Sequence, residues 1–238
     1  MNIFVTPGEV FEEVKGRPPV TANWLAPALI LALVGVISAL VVYSQPGVIQ
    51  AIHEQQTRAF DQQVSAGKMT REQADQAMAA AEKFSGPGML KVLVSFGAVF
   101  GSFIRVFWWA FILWLLGIVF LKARLNYLKV LEVAGLALMI GALGAVVTML
   151  LTVILGRPAA PSLALLIGQF DPKNKLHLLL GVANLFTFWL LGVLACGLAR
   201  LSGAAFARSL AVVGGCWLAW QLFLVFVVAS LTGLMTGK

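Results

Sequence analysis

Residues 92–121 read VLVSFGAVFGSFIRVFWWAFILWLLGIVFL, about thirty residues in which Arg105 is the only charge. An α-helix rises about 1.5 Å per residue, so roughly 20 apolar residues cross a hydrocarbon layer of about 30 Å. The run is long enough to do so and is too apolar for a surface helix. Working outward, four further runs repeat the pattern. The five predicted spans are residues 24–43, 101–121, 130–155, 176–199 and 206–231. Backbone groups in lipid must bond within their own segment, so each run reads as a helix. Strict alternation is absent, and barrel strands would be about half this length. The expected fold is all-α, an integral membrane bundle of five transmembrane helices in a single domain over residues 1–238.

Composition agrees. The 238 residues are 60% hydrophobic and 11% charged, against about 45–50% and about 25% in a soluble domain. Mean hydropathy is +0.92. The net charge of +7 points to anionic headgroups at loop ends. No basic cluster has the size of a nucleic-acid surface. Residues 1–14 lack Lys and Arg, and the first apolar run exceeds a signal-peptide core, so it reads as a retained span. Cys196 and Cys216 sit in apolar runs and read as small hydrophobes rather than as metal ligands or a disulfide.

Two polar segments flank the first span. TPGEVFEEVKG has Pro7 in a first helical turn and an early Glu9, with Val10, Phe11 and Val14 on one side. It reads as a short N-terminal amphipathic helix able to lie on a membrane surface. Residues 44–88 read as a polar helical hairpin, turning at residues 65–68. Thr70 and Gln73 have the capping-box spacing. Ala74, Ala77, Met78 and Ala81 make a narrow apolar stripe. With the N-terminus cytoplasmic, Lys15, Arg17, Lys122, Arg124, Lys129, Arg200 and Arg208 fall in short inside segments, which favours that orientation in a cell inner membrane.

Arg105 admits three readings. With a span over residues 101–121 it lies within about a turn of the outer boundary and snorkels to headgroups. If deeper, it faces the bundle interior and pairs with Asp171. Alternatively it marks a substrate or lipid site. Arg105, Asp171, His177 and Asn184 are therefore the candidate intramembrane polar site. Small residues at four-residue spacing let helix backbones approach. Ala137, Gly141, Gly144 and Ala145 in the third span and Gly192 in the fourth are the expected packing positions. No GxSxG, HExxH or phosphate-cradling motif is present. His53 and His177 are not at metal-ligand spacing. We therefore expect no catalytic residues, no metal and no cofactor.

Three blocks carry a family resemblance: TPGEVFEEVKGRPP before the first span, NYLKVLEVAG entering the third, and NLFTFWLLGVLACGLARLSGAAFARSLAVV across the last two. They resemble the bacterial branch of the Yip (Ypt-interacting protein) membrane domain. Leu185-Phe186, Phe188-Trp189 and Gly197-Leu198 are the most telling pairs. The resemblance implies five helices and a cytoplasmic N-terminus, and brings no active-site residues. The acidic DLYGP-like block of the eukaryotic members linked to Rab-type GTPases is not found, so that role is not carried over. The expected function is a non-enzymatic membrane protein acting by contact with membrane lipids, another membrane protein or a second copy of itself. Nucleic acid is not an expected partner. The rival is a small-solute or lipid transporter with a polar path through Arg105 and Asp171.

Overall fold

The computed structural model describes residues 2–167 and 174–236. Helix α1 covers Pro7–Gly16, α2 Ala22–Val42, α3 Pro46–Ser65, α4 Arg71–Ser85 and α5 Pro87–Val119. They are followed by α6 Tyr127–Leu155, α7 Lys175–Val182, α8 Leu185–Ser202 and α9 Phe206–Thr236. The described residues form no strand; a single antiparallel bridge joins Ser162 to Asn184. Five helices are long and apolar enough to cross a membrane, drawn from α2, α5, α6, α8 and α9. The protein is an all-α bundle of five candidate spans.

The core forms where α2, α5, α6 and α8 meet. α2 runs antiparallel to α5, with Trp24 ringed against Phe107 at 5.5 Å and Gly35 facing Ala98. α6 is the central helix, flanked by α2, α5 and α8. Its buried residues include Val133, Ala134, Ala137 and Ile140. α1 packs on α8 and α6. Its apolar side, Val10, Phe11 and Val14, is 3%, 0% and 2% exposed. The amphipathic helix thus spends its apolar face on the bundle rather than on a lipid surface. Its charged side stays out, where Arg17 pairs with Glu13 at 2.6 Å.

The polar hairpin is α3 and α4. Gly67 supplies the positive φ of the turn. Both bonds of the capping box form, Thr70 N–H to Gln73 Oε1 at 2.9 Å and Gln73 N–H to Thr70 Oγ1 at 3.2 Å. Arg71 reaches back to Asp61 at 2.6 Å. Ala74, in the apolar stripe, is 2% exposed, so the hairpin closes on itself and presents a mostly polar outside.

Two helices differ from their expected extents. α5 begins at Pro87, not Gly101, and its 33 residues give about 50 Å of helix. Its first half is kept helical by packing along α2. The fourth run is divided. α7 ends at Val182, and α8 starts at Leu185 behind Asn184, whose side-chain oxygen accepts from the Phe186 amide at 2.9 Å. Leu185 N–H bonds to Pro161 O and Leu163 N–H to Ala183 O. The loop after α6 therefore ties down the break. α8 has 18 residues, about 27 Å, close to the minimum for a crossing.

The packing positions divide similarly. Ala137 is fully buried, and Gly144 faces Phe186 so closely that a Cβ there would lie 2.9 Å from that side chain. Ala145 is half-buried. Gly141 meets only Leu138 of its own helix, and nothing lies within 4 Å of a Cβ on Gly192. These two are not close-approach sites, because their faces of the helices turn away from a neighbouring backbone. Much closer helix contacts are at Gly135, where a Cβ would overlap the Trp24 backbone, and at Gly197, where it would overlap Val133 and press on Phe11. Gly135→Ala is expected to lower stability by about 1–3 kcal/mol through overpacking. Gly192→Ala is expected to be neutral or slightly stabilising, since Ala favours the helix by up to about 1 kcal/mol. Thermal unfolding of the two variants in detergent checks the pair; equal effects would contradict the packing described.

Candidate functional site

Two polar features lie inside the bundle. The first is a buried knot at the α1 end. Glu132, on α6, is 1% exposed. Asn23 at the start of α2 donates to its Oε2 at 2.5 Å. Lys129 pairs with its Oε1 at 3.2 Å and donates to the Val14 carbonyl at 2.5 Å, at the end of α1. The Lys129–Glu132 contact is an ion pair without hydrogen-bond alignment, since Oε1 has no hydrogen-bond partner among the described residues. Buried charges survive only when paired and bonded. The knot does both and joins α1, α2 and α6. It is structural, and it uses up the one carboxylate buried in the described core.

The second feature is a cavity of about 710 Å³ between α5, α6, α8 and α9. Arg105 and Asn184, both predicted site residues, line it. Thr148, Thr187 and Gln221 line it too, with a wall of Trp108, Trp109, Trp217 and Trp220. Gly141 also borders it, which explains why that position is small without a packed neighbour. The sequence reading missed Thr148, Thr187 and Gln221 as site residues. Threonines in apolar helices ordinarily bond their own backbone, so only the fold shows which of them converge.

Arg105 sits about 27 Å along α5 from Pro87 and about 21 Å from Val119. It is level with Leu138 and Gly141, which line the same cavity. Because α5 continues well past Gly101, no helix end lies within a turn of Arg105. The nearer polar layer is the α1 end, not the hairpin end. Arg105 is exposed, and among the described residues it makes no hydrogen bond or ion pair. His177 lies on α7 and is not free; it does not line the cavity. Asp171 falls outside the described residues. The structure thus brings Arg105 and Asn184 together and leaves His177 apart.

Among the described residues no three His, Cys, Asp or Glu side chains converge. Comparison with curated proteins and with solved structures finds no match. The model of the Yip1 domain matches residues 1–229, nearly the whole chain and all five candidate spans but the last turns of α9, and the protein therefore belongs to the Yip1-domain family of membrane proteins.

Proposed function

We propose that this protein works by binding within the membrane, as a scaffold or adaptor for lipid or protein, and performs no covalent chemistry. The observation that carries this reading is the cavity at Arg105. It has the volume of a ligand site, roughly 300–1,000 Å³, yet its polar groups are one cation and neutral hydrogen-bonders. Among the described residues no acid or base stands beside Arg105 to move a proton, and no nucleophile–base pair is formed. The gathering of Lys15, Arg17, Lys122, Arg124, Lys129, Arg200 and Arg208 at the α1 end supports a cytoplasmic N-terminus in a plasma membrane. Arg200 approaches Glu12 at 3.7 Å and Arg208 donates to the Phe120 carbonyl at 3.2 Å, which places three connections on one side.

A photoreactive residue at Ile104, on the cavity rim, tests the reading in the native membrane. Crosslinks concentrated on one lipid class or one protein are expected. Crosslinks distributed as the bulk lipid composition would overturn it. The second reading, transport, is favoured by the same convergence of Arg105 and Asn184. It requires solute or lipid flux in vesicles that Arg105→Ala abolishes.

A further inference from the structure

Among the described residues the cavity lining holds one formal charge, Arg105, and no carboxylate. A guanidinium does not deprotonate in proteins. Within a span, a cation faces the interior and takes a partner. Among the described residues Arg105 has none, so an anion brought by the membrane would meet an uncompensated cation there. The planar fork of Arg suits the paired oxygens of a phosphate or carboxylate.

The remainder of the lining describes what is attached to that anion. Thr148, Thr187, Asn184 and Gln221 offer neutral hydrogen bonds. The Asn184 oxygen already caps α8, which leaves its amide N–H groups as donors. The other walls are aromatic and aliphatic, suited to acyl chain or glycerol backbone. At the rim, Ile104, Trp108 and Trp220 are 67%, 51% and 48% exposed. Trp108 and Trp220 stand 6.3 Å apart across the seam between α5 and α9, two helices that touch sparsely. The cavity therefore opens sideways through an apolar rim, the route of a lipid tail rather than of a hydrated ion. Depth favours one leaflet. Leu138 and Gly141, level with Arg105, are about 9 and 14 Å along α6 from Glu132 and the polar layer at the α1 end.

We propose that the cavity holds one anionic glycerophospholipid from the leaflet at the α1 end, its phosphate on Arg105 and a chain leaving between α5 and α9. The proposal rests on the binding reading above and names the ligand class. The shared chemistry is a phosphate monoanion, and lipid and free phosphate are separable by experiment. The full chain is placed in nanodiscs of phosphatidylglycerol and phosphatidylcholine, and lipid retention is read by native mass spectrometry and thermal shift. The wild type should keep one phosphatidylglycerol with a preference of about tenfold or more, because the choline of phosphatidylcholine brings its own cation to the phosphate and the described lining offers that cation no carboxylate. Arg105→Gln should erase the preference. Arg105→Lys, which keeps charge without the fork, should weaken it several-fold, as should Thr187→Val; these two carry the test if Arg105→Gln does not fold.

Equal retention of both lipids by the wild type, or undiminished preference in all three variants, would overturn the proposal. So would inorganic phosphate alone producing the same Arg105-dependent thermal shift, which would make the site one for a soluble anion. Retention of a stoichiometric protein without lipid preference would overturn the lipid assignment and leave the binding reading standing. Chemical conversion of the added lipid would instead sink the binding reading.

Discussion

Glu132→Ala is expected to destabilise the protein by about 3–5 kcal/mol, the range for removing one partner of a buried ion pair. The carboxylate is 1% exposed. Its removal leaves Lys129, whose side chain is 12% exposed, without a counter-charge, and leaves the Asn23 amide without its acceptor. The damage falls on three elements at once, because Lys129 also holds the end of α1 and Asn23 opens α2. The double variant Lys129→Met with Glu132→Leu should recover most of the loss, since a well-packed apolar pair of similar volume replaces a buried ion pair at little or no net cost. Thermal unfolding in detergent measures both. A loss below about 1 kcal/mol in the single variant, the range of an exposed pair, would contradict the burial described.

Phe11→Ala should cost a similar amount, about 3–5 kcal/mol for a large aromatic removed from a core. Phe11 is fully buried and lies against Gly197, whose missing side chain makes room for its ring. Val10, Val14 and the Lys129 bond to the Val14 carbonyl add to the attachment, but the surface ion pair does not. Arg200 and Glu12 approach at 3.7 Å with both side chains more than half exposed, so that pair contributes little. Without Phe11 the helix should detach before the spans unfold. Tryptic cleavage after Lys15 reports this directly: the variant should be cut much faster than the wild type while the rest of the chain persists. Unchanged cleavage would mean that α1 is not held by its aromatic.

What the sequence revealed, and what it concealed, has a physical pattern. The five spans were legible because hydrocarbon imposes a length and a composition on any crossing segment. The capping box at Thr70 and Gln73 was legible because it is local. The break at Asn184 was not, since it depends on Pro161, Ser162 and Leu163, supplied by a loop elsewhere. The start of α5 was hidden because the apolar run is longer than one crossing needs, so composition does not say where in it the helix begins. Four-residue repeats show which helix faces are small but not which face meets a neighbour. Gly141 and Gly192 matched the pattern without packing, while Gly135 and Gly197 packed without being singled out. The knot was least visible. Asn23 and Glu132 are 109 residues apart, and Lys129 and Val14 115, so nothing local announces them. Of the polar residues lining the cavity, Arg105 and Asn184 drew notice in the sequence because isolated polar groups in apolar runs stand out.

These findings describe a membrane bundle whose buried carboxylate is spent on structure and whose arginine, unpaired among the described residues, faces a cavity. Native mass spectrometry of the protein ejected gently from its own membrane tests the resulting claim most directly, because it reports bound lipids, bound proteins and copy number together. A stoichiometric companion, one lipid class or one protein, is the expected result. A bare chain carrying no companion, or a random sample of the surrounding lipids, would contradict the claim that this protein acts by binding.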